Sequence, residues 1–347
     1  MMLNFQGVFM NFQAEFMNNC NCTTFTYLRS MVKLFSGNRA GVLLLLPLFI
    51  VLYYFLNNFS GNHYDPGVVN LGFWGDSSSL FSNATQLLAG TIICFNAIGI
   101  NLIYNANEFL ERNNYMSSLL YVVLMSFYHS FYSLDGLLLA HSAIILMIHQ
   151  FFQLRQNADG RANVFNGALF AGLAASFHPP MVGMIPFVLI MVWNIRPFNF
   201  RETLLTLVGF SIPLLYAGTY YWYSGHKIEL NFLQQASDYY KEQTDFFVTA
   251  TLFTLLLLLS LVSIRARMLK SSIRLKKMVN MLWWLLGVGL IYGLIDFIFF
   301  DQIERFSFLM VPLSFFLTFS FSHKTFGGVA SVLFYLTFLY SLINFFL

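Results

Sequence analysis

A chain of 347 residues that is 58% hydrophobic and only 10% charged cannot coat a soluble surface, which usually carries about 25% charged residues. Phenylalanine alone contributes 42 residues, a load that lipid-facing helices absorb readily. The net charge of +3 gives no nucleic-acid surface, and Cys20, Cys22 and Cys94 give neither a disulfide framework nor a paired metal-site spacing.

The first thirty residues are rich in Asn and Phe, with Glu15 the only acid and Arg29 the only base. They lack the basic region and apolar stretch of a signal peptide. Met31 opens the run MVKLFSGNRAG, which reads as a natural start. Residues 1–30 are therefore expected to be a poorly ordered extension, and 31–347 a single transmembrane domain. A crossing helix needs about 20 mostly apolar residues. That criterion predicts spans near 40–58, 80–104, 115–132, 135–153, 164–177, 180–195, 202–223, 246–264, 280–299, 306–321 and 327–346. The expected fold class is all-α: a polytopic transmembrane helix bundle of about eleven spans. The spans 164–177 and 180–195 are short and are separated by Pro179–Pro180, as two short helices or one re-entrant pair.

Orientation follows from the bases, because inward-facing loops accumulate Lys and Arg. With the N-terminus cytoplasmic, only Lys227, Lys241 and Arg305 of the 18 Lys and Arg residues face outward. The run RARMLKSSIRLKK reads as a basic inner loop that anchors topology and meets anionic lipid. The acids lean to the outer side, so carboxylate chemistry is expected there.

The first outer loop, 59–79, holds His63, Asp65, Trp74 and Asp76. Asp65 or Asp76 could take the proton of an attacking hydroxyl, or hold a divalent cation on a diphosphate. The structural alternative is that they cap turns and helix starts. Arg305, beside Asp301 and Glu304, suits a lipid phosphate; its alternative is an ion pair holding a helix end. His129, Asp135 and His141 bracket an outer turn, and His178 ends the fifth span. His129, Asp135 and His178 are candidate substrate contacts. No metal site is expected, since their spacing forms no i, i+4 ligand pair. Asp296 lies within a span, where an ionisable group is expensive. Asn96, Asn101 and Asn105 are expected to bond across helices. Glu108 and Arg112 could pair at i, i+4. Pro197 should stop one helix and Glu202 start the next. Phosphate loops, a Walker lysine and a nucleophile elbow are absent from the sequence.

Two stretches carry a resemblance. NNYMSSLLYVVLMSFYHSFYSLDGLLLAHSAIILMIHQFFQLRQ forms a helical hairpin with a polar outer turn. It is followed by NVFNGALFAGLAASFHPPMVGMIPFVLIMVWNIRP. This order resembles the core of the GT-C-type and polysaccharide-polymerase-like glycosyltransferases that use polyprenyl-linked sugars. The phrases NEFLERNNYMSSLLYVVLMSF and RPFNFRE also look like an uncharacterised family of bacterial polytopic inner-membrane proteins. The resemblance implies a catalytic acid in the first outer loop, matching Asp65 or Asp76, with His178 as a substrate contact and Arg305 as a phosphate contact. Paired acids after the first span and a large outer domain, usual in such glycosyltransferases, are missing here.

The expected function is a lipid-linked sugar transferase, or polymerase-like protein, working on the outer face of a bacterial inner membrane in cell-envelope glycan assembly. Its expected partners are the bilayer and a polyprenyl-phosphate-linked sugar. The competing expectations are a non-catalytic membrane subunit bound to an envelope protein, and, ranked lower, a transporter or flippase.

Overall fold

The computed structural model describes residues 31–59, 71–75, 82–154, 159–196, 198–224, 243–300, 303–321 and 327–345. Residues 1–30, with the expected extension, lie outside that set. All regular elements among the described residues are helical. A 3-10 stretch, Ala40–Leu45, runs into α1, Leu46–Phe59. Then follow α2 (Ser82–Ala106), α3 (Met116–Met125), α4 (Gly136–Phe152), α5 (Arg161–Phe177) and α6 (Ile185–Ile195). The second half holds α7 (Phe200–Tyr223), α8 (Gln243–Leu269), α9 (Ile273–Phe300), α10 (Met310–Phe321) and α11 (Gly327–Ile343). Among the described residues, six stretches are long and apolar enough to cross a membrane: Ala40–Phe59, Thr85–Ala106, Phe200–Tyr223, Phe247–Leu269, Ile273–Phe299 and Glu304–Phe321. The protein is an all-α bundle of integral membrane type. Leu44, Phe55, Tyr216, Ile298 and Phe299 remain exposed, as lipid-facing side chains would.

The bundle has an inner and an outer layer. All ten residues of α3 are buried, and α10 is buried from Met310 to Ser320. These two helices pack on each other, with α2 against both and α8 against α10. Short side chains let α5 and α7 approach closely. A Cβ on Gly172 would sit 2.1 Å from the Phe210 carbonyl oxygen, and one on Gly209 2.7 Å from that of Phe165. Small residues at such contacts are the usual device where lipid gives helices no hydrophobic reason to associate. The α2 asparagines supply polar ties. Asn101 Nδ2 donates to the Asn114 carbonyl at 2.7 Å and to Ser117 Oγ at 2.9 Å. Asn105 Oδ1 accepts from the Asn114 N–H at 3.0 Å.

One end of the bundle gathers the basic residues. Arg267 meets Glu111 at 2.6 Å, Arg274 donates to Asn107 and to the Phe152 carbonyl, and Lys277 donates to the Ile195 carbonyl. Arg196 and Glu202 pair at 3.2 Å, and Asn199 caps α7 through the Arg201 N–H.

Several local expectations change. The basic run is not a long loop: α8 continues to Leu269, only Lys270–Ser272 turn, and α9 starts at Ile273. Leu, Met, Lys and Arg are good helix formers, so the helices overrun the apolar stretch. The third expected span stops early. Tyr128 is extended (φ −119°, ψ 147°) before a 3-10 turn, His129–Phe131, and the Tyr132 hydroxyl donates to the Ser126 carbonyl left over at the helix end. The Pro179–Pro180 pair gives two separate helices: a 3-10 stretch, Pro179–Met184, leads into α6, which packs on α9 while α5 packs on α4 and α7. Glu108 is not in a helix. It adopts φ 52°, and among the described residues it is Glu111, not Glu108, that finds a guanidinium.

Candidate functional site

The end opposite the basic residues collects polar groups from three directions. Asp135 caps α4: its Oδ1 accepts from the Leu138 N–H at 2.7 Å, satisfying one of the unpaired donors of a helix start. Its Oδ2 accepts from Ser130 Oγ at 2.6 Å. His129 Nδ1 lies 2.9 Å from Ser133 Oγ. The His129 backbone N–H points at the Glu304 carboxylate, 3.2 Å and 3.1 Å from its two oxygens. Asp135 and His129 thus spend their polar atoms shaping the α3–α4 turn and docking it onto the Glu304–Leu309 stretch.

The next residue, Arg305, turns inward. Its side chain is 8% exposed, and Nη1 lies 2.8 Å from Oδ1 of Asp296, which is 1% exposed. This is an ion pair at contact distance. The buried Asp296 carboxylate has Arg305 as its partner, whereas His178 Nε2 is buried with no hydrogen-bond partner among the described residues. His178 lies within electrostatic reach of Arg305 and His141. Tyr292, one turn before Asp296 on α9, also feels Arg305. A Cβ on Gly183 would sit 3.0 Å from its hydroxyl, which ties the Pro179–Met184 stretch to the same place. Deeper in, a line of long polar contacts runs from Asn96 Nδ2 to the Tyr121 hydroxyl (3.4 Å), on to His141 Nδ1 (3.4 Å), and from His141 Nε2 to Ser307 Oγ (3.5 Å).

The described part of the first loop reaches this end too. Trp74 Nε1 donates to Ser176 Oγ at 3.1 Å, and its ring lies against Phe177 and Tyr220. Gly72 has φ +67°, and a Cβ there would fall 2.4 Å from the Phe177 carbonyl oxygen, so only glycine lets the segment 71–75 settle on the end of α5. Asp65 and Asp76, the expected catalytic acids, and His63 lie outside the described residues.

Of the expected site residues, His178, Arg305, His129 and Asp135 share one end of the bundle. Sequence reasoning marked Asp296 as an expensive group within a span without making it a site residue, and did not single out Tyr292 or Ser307. For Asp296 a signal was present: it is an acid inside a 27-residue apolar stretch, nine positions before one of three bases assigned to the outer side. Tyr292 and Ser307 are ordinary residues in aromatic-rich helices and carry no such mark. Among the described residues no group of three His, Cys, Asp or Glu side chains converges as a metal site. No family model, curated protein or solved structure matches the chain.

Proposed function

We propose that the protein is an outer-face transferase for a polyprenyl-phosphate-linked sugar in a bacterial inner membrane, crossing it about eleven times with the N-terminus inside. The supporting observation is the buried His178 Nε2, which has no hydrogen-bond partner among the described residues, beside the buried Arg305–Asp296 pair. A buried polar atom left unsatisfied costs about 1–3 kcal/mol, and ionisable groups among membrane helices mark function by default. Arg305 would meet the substrate phosphate, and His178 would bond to sugar or phosphate oxygen. Asp65 or Asp76 would accept the proton of the acceptor hydroxyl as that oxygen attacks the anomeric carbon and the lipid phosphate departs with its bonding electron pair. A divalent cation would need ligands from the first loop, since the described residues of this end offer no three-ligand set.

The test is surface glycan in cells carrying Arg305→Gln, His178→Gln, Asp65→Asn or Asp76→Asn, each shown to be folded. Loss of glycan with the Arg305 or His178 variant and with at least one Asp variant is expected. Unchanged glycan in all four would overturn the reading. One observation favours a second reading, a non-catalytic subunit of an envelope complex: the Arg305–Asp296 contact at 2.8 Å is able to brace two helix segments by itself. That reading expects a stoichiometric partner to co-purify with the wild-type protein.

A further inference from the structure

At the basic end a cavity of about 330 Å³ opens between the end of α2 and the turn joining α8 to α9. Its lining includes Arg267, Lys270 and Arg274, with Ser271 and Asn107 between them and Glu108 as the one acid. Two of the three cations are fixed in place. Arg267 is held by Glu111 at 2.6 Å and by the Phe109 carbonyl at 3.3 Å. Arg274 is held by Asn107 Oδ1 at 3.0 Å and by the Phe152 carbonyl at 3.1 Å. The Lys270 ammonium makes no hydrogen bond or ion pair among the described residues. As a sphere the cavity would be roughly 9 Å across, about one Debye length at physiological salt, so an anion inside it lies within reach of all three charges. Glu111, which faces Arg267, has a side chain 82% exposed and is not part of the cavity lining.

We propose that this cavity binds a phosphoryl group, with Arg267 and Arg274 as fixed guanidinium donors and Lys270 as the closing cation. A phosphate offers several acceptor oxygens at one point and matches guanidinium geometry. The volume falls at the low end of small-molecule sites, enough for a headgroup or a small phosphate ester. Leu275 and Met278 also line the cavity, so the same chemistry suits a lipid headgroup lying between helix ends or a soluble phosphate.

The test uses the purified full chain in two arms. In the first it is placed in phosphatidylcholine nanodiscs doped with phosphatidylglycerol, and lipid retained on ejection is read by native mass spectrometry. In the second, inorganic pyrophosphate is titrated calorimetrically into protein in zwitterionic detergent. Binding is expected in at least one arm, and the responding arm identifies the source of the phosphoryl group. Lys270→Gln, which breaks no bond in the fold, and Arg274→Gln should each weaken it at least tenfold. Lys276→Gln removes the same charge from the same region but not from the cavity lining, and should change binding less than twofold. Absence of binding in both arms, or equal losses from Lys270→Gln and Lys276→Gln, would overturn the proposal.

Discussion

Replacing Arg305 by Met removes the only cationic partner that the described residues show for the Asp296 carboxylate. Asp296 is fully buried and Arg305 is 6% exposed, so water cannot take the place of the lost charge. Breaking a buried pair from one side costs about 3–5 kcal/mol, which at about 1.4 kcal/mol per tenfold is a roughly 10²- to 10⁴-fold fall in the folded-to-unfolded ratio. Replacing both partners with apolar groups, Asp296→Leu with Arg305→Met, removes the stranded charge and is expected to restore stability to within about 1 kcal/mol of the parent or better. The measurement is the fraction of monodisperse protein left after a heating series in detergent, followed by fluorescence-detected size exclusion. If Arg305→Met alone is as stable as the parent, the pair does not hold a desolvated charge and the reasoning fails. If the double variant is stable yet still abolishes glycan, the pair's role is chemical and not a brace.

Other consequences are equally direct. Gly172→Leu should drive α5 from α7, because even a Cβ meets the Phe210 carbonyl oxygen at 2.1 Å; a loss of about 1–3 kcal/mol or more would appear as lower yield of folded protein, and a normal yield would contradict the close crossing. Glu108→Gly should stabilise by about 1 kcal/mol, since φ 52° costs an L-residue that much; thermal shift in detergent checks the sign. Arg196→Met should destabilise by a few kcal/mol, about 3–5 at most, as it strands Glu202, which is 4% exposed; Glu202→Gln in the same chain should recover most of the loss.

The helices were legible because apolar length and proline leave a strong trace in sequence. Each of the eleven expected spans meets a helix whose ends fall within a few residues, apart from three. The third span ends at Met125, since a run such as SFYHSFYS is apolar enough to extend a hydropathy window but contains serines that bond the backbone locally. The eighth and ninth were drawn too short on the basic side, because hydropathy falls at the first Arg while helix propensity does not. The candidate site was only partly legible. Charge placement pointed to Arg305, and the HPP break pointed to His178, but which carboxylate faces Arg305 depends on how α9 is rotated, and nothing in a one-dimensional pattern sets that angle. Glu304 was read as a neighbour of Arg305, whereas in the structure adjacent residues point apart, one to the α3–α4 turn and the other to α9.

The complete burial of α3 has a bearing on how the protein is made. Ten residues of helix rise about 15 Å, half the roughly 30 Å of a bilayer's hydrocarbon, so α3 has no stable resting place in lipid alone. Its wall on one side is α10, synthesised almost 200 residues later. Until α10 emerges, α3 must be sheltered by α2, whose Asn101 bonds Ser117 of α3 and whose Asn105 holds the Asn114 N–H just before it. Assembly is therefore not a sequence of independent insertions: the C-terminal third closes a shell around a centre laid down early, and a ribosome stalled before α10 would release a chain with its middle open.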